Sequence, residues 1–382
     1  MLSFWEKESL LQYDYIIIGS GIVGLSAAIS LKDTAPGSRV LVLERDILPT
    51  GASTKNAGFA CIGSITEILT DLQTMPAAAV RDLVELRLRG LRLLRSRLGD
   101  AAIHYRENGS HELIGPREEW ALHQLPEVNR LLGDLFEGKP AFTLANERLP
   151  VFGFAPGYVK ALISNNFEGE LHTGKMMRAL IDTAILKGVE IKTGCTVKAI
   201  DDFHTGVNVI VPHQTLQEDL AFSARKVLIC TNAFTRRLLP EEEVVPGRGQ
   251  VLITDPVKGL PFKGVFHMEE GYYYFRELEG RVLLGGGRQL DFAGETSTDF
   301  HFNDNIQHQL EELLRKVILP GREVTVADRW TGIMAFGKTK QPIVKVHTKN
   351  VIIGVRMGGM GVAIGSIIGD NIARMALESG SL

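Results

Sequence analysis

Short apolar runs, glycine-rich turns and helical patterns follow one another at the start of this chain. Residues 15–18 form an apolar run that predicts a buried parallel strand, and residues 25–31 continue as an apolar helix after a glycine-rich turn. Residues 39–43 repeat the strand pattern. A strand, a helix and a second strand in this order predict a βαβ unit, which builds a parallel sheet through a right-handed crossover.

The pattern becomes richer in strands between about residues 241 and 320. The segments "GQVLITD", "GYYYFREL" and "RVLLGGGRQ" predict strands, and "NDNIQHQLEELLRKVI" predicts the helix that closes this part. The sequence contains no internal repeat, low-complexity segment or obvious flexible linker. We therefore expect two parts that interleave along the chain rather than follow one another.

Two segments have features of membrane contact. Residues 81–99 predict an amphipathic helix with an apolar side and several arginines on the rest of its surface. Such a helix suits a membrane surface or an acidic partner, but we interpret it as a surface helix with a solvated face. Residues 351–369 are almost uncharged, yet their glycines and Arg356 favour a strand, a turn and a helix start over a membrane span.

Composition and charge narrow the class of protein. A chain of 382 residues favours more than one domain, and its net charge of −3 argues against nucleic-acid binding. Cys61, Cys195 and Cys230 lie far apart without a CxxC pair, so we expect neither a disulfide framework nor a metal site. The first residues lack the apolar core of a signal peptide. We expect a cytoplasmic protein without a transmembrane segment.

The glycine-rich turn after the first strand predicts a dinucleotide site. Gly19 suits the tight turn, Gly21 lets the backbone approach a pyrophosphate, and Gly24 lets the helix pack closely on the strand. The start of the helix adds free N–H groups and partial positive charge. Glu44, at the end of the second strand, accepts hydrogen bonds from a ribose diol and disfavours the 2′-phosphate of NADP. This motif alone fits both NAD and FAD.

The next segment, "GASTKNAGF", favours FAD. It is a polar loop of small residues, rich in backbone and hydroxyl donors, where a nicotinamide domain usually continues with plain βα units. Here the sequence resembles the D-amino-acid-oxidase-like flavoenzymes, a family that includes glycine oxidase, sarcosine oxidase and D-amino-acid dehydrogenase. The resemblance spans nearly the whole chain. It rests on "DYIIIGSGIVGLSAAISL", "VLVLERD", "GASTKNAGF", "VLICTNAFT", "GRVLLGGGR" and "WTGIMAFGKTKQPIV…VIIGVRMGGMGVAIG".

The resemblance implies a mixed α/β fold with a GR2-type Rossmann-like FAD-binding domain interleaved with an antiparallel-sheet substrate domain. It assigns residues 1–80, 158–240 and 322–382 to the FAD-binding domain, and residues 81–157 and 241–321 to the substrate domain. The implied cofactor-binding residues are Gly19, Gly21, Gly24, Glu44, Arg45, Ser53, Thr54, Asn56, Ala57, Gly58, Val197, Thr231, Asn232, Gly332, Gly359, Met360, Gly361 and Val362. Because no cysteine follows Cys230, the covalent tether of sarcosine-oxidase-like enzymes is absent, and we expect non-covalent FAD.

The resemblance also implies the chemistry. A hydride passes from the carbon beside an amine nitrogen to flavin N5, the resulting imine hydrolyses, and the electrons pass to oxygen, a quinone or another carrier. An amine that binds in its neutral form needs no dedicated general base. Two alternatives stay open: an FAD-dependent 2-hydroxy-acid dehydrogenase, and an FAD-binding protein without amine oxidase activity. Two other classes are disfavoured: a dehydrogenase that binds NAD alone, and a flavin monooxygenase. The oligomeric state is left open.

Three residues are candidates for the catalytic region. Tyr272 matches a substrate-facing tyrosine of glycine oxidase, Lys338 is a candidate for assisting the reaction with oxygen, and Arg356 is a charge inside an apolar turn. The family often binds a substrate carboxylate with an arginine where this chain has Met334. Methionine cannot make a bidentate carboxylate contact. We therefore expect that Arg356, Lys338 or Arg288 replaces that arginine, or that the substrate is an amine without an α-carboxylate.

Overall fold

The computed structural model describes residues 2–213 and 218–378. Strands and helices are mixed along the chain, with runs of strands between residues 190 and 286. The strands are β1 Gln12–Ile18, β2 Val40–Leu43, β3 Phe59–Ala60, β4 Ser110–Ile114, β5 Thr143–Leu144, β6 Ala161–Asn165, β7 Gly169–Glu170, β8 Glu190–Lys192, β9 Ala199–Phe203, β10 Gly206–His213, β11 Glu218–Ile229, β12 Val245–Thr254, β13 Val265–Met268, β14 Tyr273–Leu278, β15 Arg281–Gly286, β16 Val326–Phe336, β17 Ile343–Val346 and β18 Val351–Val355.

The α-helices are α1 Phe4–Leu10, α2 Ile22–Thr34, α3 Ala52–Lys55, α4 Ile65–Thr74, α5 Ala77–Leu98, α6 Asp100–Ile103, α7 Trp120–Leu132, α8 Leu149–Phe152, α9 Thr173–Leu186, α10 Asp304–Leu313 and α11 Gly361–Glu378. Short 3₁₀ segments cover Gly133–Phe136, Asn146–Arg148, Asn232–Arg237 and Arg288–Leu290, and a π-helical turn covers Leu314–Ile318.

The first sheet contains the predicted βαβ unit. Its strand order is β17-β18-β11-β1-β2-β8, and the strands from β18 to β8 run parallel. Strand β17 pairs antiparallel with β18, and β9 and β10 form an antiparallel extension from the first half of β11. The pairing of β1 with β2, joined through α2, confirms the parallel unit predicted from the apolar runs.

Successive side chains of β1 pack on opposite faces of this sheet, because side chains alternate along a strand. Ile17 contributes to a core with α2, α9 and α11, whereas Ile16 and Ile18 pack toward β9 and β10. Helix α11 lies directly against α2. A Cβ at Gly365 would approach Ile22 Cγ2 within 2.6 Å, so this close helix contact depends on glycine.

The second sheet has the order β16-β12-β15-β14-β13-β4-β6-β5 and is antiparallel except for the β13–β4 pair. Its core is aromatic: Phe266 and Phe275 stack with ring centroids 4.6 Å apart, and Phe154 and Phe262 both pack on them edge-on. Helix α10 covers this core through Ile306 and Leu310. The mixture of a parallel and an antiparallel sheet is the α/β arrangement expected from the sequence.

Strands β6 and β16 belong to the second sheet, although the expected FAD-binding domain includes residues 158–240 and 322–382. The reason is non-local pairing, since β16 pairs along its length with β12 and β6 pairs with β4. The domain division stays a prediction. We propose that its boundaries follow the sheets and assign both strands to the substrate domain.

The two segments with membrane-like patterns pack against the core of the protein, and Arg89 and Arg92 in residues 81–99 stay exposed to solvent. Residues 351–369 form β18, a glycine turn and the start of α11, as the sequence predicts. Residues 81–99 fall mostly in α5, whose Leu91 and Leu94 join the core beneath α11. Arg87 on this helix is buried rather than solvated, and its guanidinium donates to the Ile62 carbonyl. Across the described ranges, no helix is long and apolar enough to cross a membrane.

Candidate active site

A cavity of about 820 Å³ is lined by residues from both sheets. Its volume lies near the upper end of the range of about 300–1,000 Å³ that is typical of ligand sites. One part of its wall comes from the glycine turn after β1, the end of β2 and the start of α11. Another part comes from β12–β16 of the second sheet. A single elongated ligand therefore has access to both sheets.

The glycine turn has the geometry that the sequence predicts. Gly19 has a φ of +107°, a conformation that favours glycine. A Cβ at Gly24 would overlap the Gly19 carbonyl oxygen, so helix and turn approach closely only because residue 24 is glycine. A Cβ at Gly21 would lie 2.8 Å from Ser53 Oγ, which accepts a hydrogen bond from the Ile22 N–H at 3.0 Å. Gly19 and Gly21 line the cavity, whereas Gly24 lies behind them.

Glu44 is buried beside this turn and lines the cavity. Its Oε2 accepts hydrogen bonds from the Ser20 N–H at 3.1 Å and from Ser20 Oγ at 2.6 Å, and its Oε1 accepts from the Asp46 N–H at 3.2 Å. These contacts hold the carboxylate in one orientation. Arg45 also lines the cavity, with its guanidinium carbon 4.3 Å from the ring centroid of Phe234. Val197 lies in the same lining.

The loop around α3 contributes Ser53, Asn56 and Ala57 to the lining. The other two predicted contacts of this loop, Thr54 and Gly58, lie outside the lining and shape the loop instead. Thr54 Oγ1 donates to the Pro49 carbonyl at 2.8 Å, and the Gly58 N–H donates to Asn56 Oδ1 at 2.9 Å. Both residues act on the backbone that carries Ser53 and Asn56.

The turn before α11 forms the facing wall. Gly359 has a φ of +82°, and the lining includes Gly359, Met360, Gly361 and Val362. The first N–H groups of this 18-residue helix have no partner within the helix and carry partial positive charge. Gly332, Thr231 and Asn232 complete the set of predicted contacts that line the cavity. Asn232 Oδ1 accepts from the N–H groups of Arg356 at 3.1 Å and Met357 at 3.3 Å, which fixes the turn.

Arg356 does not line the cavity, contrary to the expectation that it faces the flavin or the substrate. Its guanidinium points to the connection between β16 and β17. Nε donates to the Gln341 carbonyl at 3.0 Å, and Nη1 donates to the Glu243 carbonyl at 3.1 Å and to Glu243 Oε2 at 3.2 Å. The buried charge is therefore satisfied by groups that hold the loop in place.

The aromatic strand β14 places its side chains as alternation predicts. Tyr272, just before the strand, and Tyr274 line the cavity, whereas Tyr273 packs in the core of the second sheet. Met334 on β16 and Lys338 in the following loop also line the cavity. The Lys338 N–H donates to Glu243 Oε1 at 2.8 Å. The structure thus brings two of the three catalytic candidates, Tyr272 and Lys338, into one cavity.

The same lining contains a charged group, Lys340 with Asp71 and Glu67, that the sequence does not predict. Lys340 Nζ lies 2.7 Å from Asp71 Oδ1 and 3.0 Å from Glu67 Oε1. Burial alone would raise the pKa of Glu67, but the cations of Arg87 and Lys340 outweigh it and hold that pKa at about 2. Glu67 and Asp71 lie one turn apart on α4, whereas Lys340 is far away along the chain. Local sequence therefore gives no signal for this ion-pair cluster.

His267 on β13 is a second cavity-lining residue without a sequence signal. Burial lowers the pKa of this imidazole to about 4, so it is neutral at pH 7. Its Nε2 is buried and has no hydrogen-bond partner among the residues that the structure describes. The ring packs edge-on against Phe59, with centroids 5.3 Å apart.

All three cysteines line the cavity as free thiols. Burial raises the pKa of Cys61 and of Cys230, which keeps both thiols protonated near neutral pH. Within the described ranges, one group of acidic and histidine side chains has the spacing of a metal site: Glu241, Glu242 and His347, with ligand atoms within 4.8 Å of one another. None of these three residues lines the cavity.

The residues of the cavity fit FAD. The space beside Gly21 would be filled by a Cβ, and hydrogen bonds hold the Glu44 carboxylate beside the glycine turn. Two helices, α2 and α11, start at the wall of the cavity. Anionic phosphates and a reduced flavin both favour helix N-termini. Fold and cavity together define a dinucleotide-binding protein whose cavity extends to a second, antiparallel sheet.

The family follows from comparison with known proteins. The chain matches the family described as FAD dependent oxidoreductase (DAO) over residues 14–375, and it belongs to this family. FAD is therefore its cofactor, and the protein is an oxidoreductase. This finding confirms the family resemblance in the sequence.

Individual relatives are distant. The bifunctional protein ThiO/ThiG of Synechocystis sp. is 23% identical over 386 residues, covering 96% of this chain, and the chain spans about half (52%) of that relative's length. Glycine oxidase from Geobacillus kaustophilus has a similar structure, with a TM-score of 0.77, 19% identity and coverage of 96% and 95% of the two chains. L-proline dehydrogenase from P. horikoshii has a TM-score of 0.76 at 15% identity, with coverage of 96% and 94%.

Proposed function

We propose that this protein oxidises the carbon–nitrogen bond of an amine or amino acid. The observation that carries the proposal is the continuity of the cavity, which reaches from the glycine turn and Glu44 to Tyr272, Tyr274 and His267 on the second sheet. Bound FAD supplies a two-electron acceptor for a hydride from the carbon beside the nitrogen. The names of the structural relatives, glycine oxidase and L-proline dehydrogenase, also support an amino-acid substrate.

The proposed roles divide between the two sheets. Gly19, Gly21 and the start of α2 hold the pyrophosphate, and Glu44 accepts hydrogen bonds from the ribose. The start of α11 stabilises negative charge that develops beside it. Ser53 and the other cavity-lining residues of the α3 loop contribute donors to the same cofactor.

The second sheet supplies the substrate wall. Tyr272 and Tyr274 line the cavity with aromatic surface, which excludes water from the reacting carbon. The imidazole of His267 is neutral and itself adds no positive charge to this wall. An amine loses its positive charge before oxidation, and the hydride and the N–H proton leave in the same overall reaction to give an imine. Water then hydrolyses the imine to a carbonyl compound and ammonia or an amine.

The test is anaerobic spectroscopy of the FAD-loaded protein. Pools of amino acids, of amines without a carboxylate and of 2-hydroxy acids are added separately, and loss of the oxidised-flavin absorbance is followed. We expect bleaching by the amino-acid or amine pool. Bleaching by 2-hydroxy acids alone would instead support the dehydrogenase alternative, and no bleaching by any pool would support a non-catalytic flavoprotein.

The electron acceptor is tested on the same reduced protein. Re-oxidation on admission of air supports an oxidase, and re-oxidation only by an added quinone supports a dehydrogenase. A Lys338→Met variant tests the proposed role of this lysine with oxygen: we expect slower re-oxidation by oxygen and an unchanged rate with the quinone. Equal rates of re-oxidation by oxygen in both proteins would remove Lys338 from that step. Non-covalent attachment is checked by acid precipitation, which should release the FAD into the supernatant.

A further inference from the structure

Arg288 is a half-buried cation in the cavity lining. Its Nε is fully buried and has no hydrogen-bond partner, and its guanidinium makes no hydrogen bond or ion pair with any described residue. A buried donor without a partner lowers the stability of the folded state, and the cost is larger when the donor is charged. The position is therefore favourable only when an acceptor reaches this guanidinium.

The neighbours of Arg288 are aromatic. Its guanidinium carbon lies 4.0 Å from the ring centroid of Phe336 and 5.1 Å from that of Phe292, and both rings line the cavity. Two other cations of the lining have carboxylate partners: Lys340 pairs with Asp71, and Arg45 with Asp46. Among the described residues, Arg288 has no carboxylate within ion-pair distance, and it lies against apolar rings, where an ionic hydrogen bond is strong.

Arg288 also lies beside the position where the arginine of related enzymes is missing. A Cβ at Gly247 would lie 3.1 Å from the guanidinium carbon, and Gly247 pairs directly with Met334 in the β12–β16 ladder. Because residue 247 is glycine, the side chain of Arg288 passes over this strand from the 3₁₀ segment after β15. The charge that is absent from β16 at Met334 therefore reaches the cavity from another element.

We propose that Arg288 binds the carboxylate of the substrate, so that the substrate is an amino acid rather than an amine without a carboxylate. The planar guanidinium offers paired donors that match the two oxygens of a carboxylate, and the carboxylate neutralises the charge. The apolar face of Met334 leaves that part of the cavity to the carbon skeleton. This inference rests on the proposed function, since it specifies the substrate of that same cavity.

The experiment measures carboxylate binding without turnover. Benzoate is titrated into the FAD-loaded full chain, and its dissociation constant is read from the change in flavin absorbance; benzamide is the uncharged comparison. We expect wild-type protein to bind benzoate and to bind benzamide at least tenfold more weakly. Arg288→Gln should weaken benzoate binding by about 10- to 100-fold, because a hydrogen bond to a charged group contributes about 1.5–3 kcal/mol. Arg315→Gln, which removes an exposed arginine outside the cavity lining, should have no effect.

Two further variants keep the test decisive. Arg288→Lys retains the charge without the planar donors and should bind benzoate with an intermediate constant, even if Arg288→Gln does not fold. Gly247→Ala leaves the charge in place, but its Cβ would lie 2.5 Å from the Phe336 ring and 3.1 Å from the guanidinium carbon and would displace both groups. It should therefore weaken benzoate binding in the wild-type background more than in Arg288→Gln. Unchanged benzoate binding in Arg288→Lys and Arg288→Gln, or no binding by wild type, would overturn the assignment.

The outcomes separate this inference from the proposed function. If amines without a carboxylate bleach the flavin and benzoate does not bind, the protein is an amine oxidase and Arg288 has another role. If benzoate binds through Arg288 but only 2-hydroxy acids bleach the flavin, the carboxylate contact stands and the proposed reaction is wrong.

Discussion

The Glu44 carboxylate provides a quantitative test of the cofactor site, through the variant Glu44→Gln. Three donors converge on this carboxylate: the Ser20 N–H, Ser20 Oγ and the Asp46 N–H. An amide has a single acceptor oxygen, so its NH₂ group must face one of these donors. One buried donor is then unpaired, which costs about 1–3 kcal/mol of the free energy of unfolding.

The same substitution weakens the cofactor contact. An ionic hydrogen bond from a ribose hydroxyl contributes about 1.5–3 kcal/mol, so the dissociation constant of FAD should rise by about 10- to 100-fold. The assay is the quenching of FAD fluorescence on titration with apoprotein, together with urea unfolding of that apoprotein. Glu190→Gln is the matched control, because Glu190 lies on the adjacent strand β8, pairs with Leu41 and is outside the cavity lining. An FAD affinity in Glu44→Gln equal to that of wild type would refute the assignment of Glu44 to the cofactor.

Three further variants test the charged groups around the cavity. Lys340→Met removes the cation that pairs with Asp71 and Glu67, so we expect a loss of about 1–3 kcal/mol in unfolding free energy at pH 8. Burial raises the pKa of Asp71, so the loss should shrink as the pH is lowered and this carboxyl group takes up a proton; a loss that does not change with pH would contradict this. Burial raises the pKa of Glu168 to about 8, so the folded state keeps a proton that the unfolded state releases. Wild-type stability should therefore fall as pH rises from about 5 to 8, by up to about 1.4 kcal/mol per pH unit, whereas Glu168→Gln should show a flatter profile; parallel profiles in urea unfolding would remove Glu168 as the cause. Arg356→Met should lower the unfolding free energy by about 1–3 kcal/mol through loss of its bonds to Glu243, and a large loss of benzoate affinity without a loss of stability would place Arg356 at the substrate instead.

The local part of the site was readable from the sequence. The turn from Gly19 to Gly24 and the acid Glu44 lie within one βαβ unit, where spacing along the chain determines the geometry. Alternation in the aromatic segment likewise places Tyr272 and Tyr274 in the cavity and Tyr273 in the core. Such features depend on neighbours a few residues away, so pattern alone defines them.

The remainder depends on partners that are distant along the chain. A charge in an apolar turn requires a reason, so the sequence predicts Arg356 at the flavin or the substrate. Its partners, Glu243 and Gln341, instead come from other connections of the chain. The cluster of Lys340 with Asp71 similarly joins a loop near the end of the chain to α4. Residue spacing along the chain does not predict such contacts, because only the folded structure brings these residues together.

The packing of α11 on α2 has a consequence for folding during synthesis on the ribosome. The glycine turn and α2 are synthesised early, yet their apolar surface is covered by β18 and α11, which come much later along the chain. A nascent chain that ends before residue 351 therefore carries an exposed apolar face and only part of the cofactor wall. Domains usually fold as units while synthesis proceeds, but here the first unit stays incomplete until α11 has been synthesised. We expect the cofactor to bind only after that point, and chaperones to bind shorter nascent chains through the exposed apolar face.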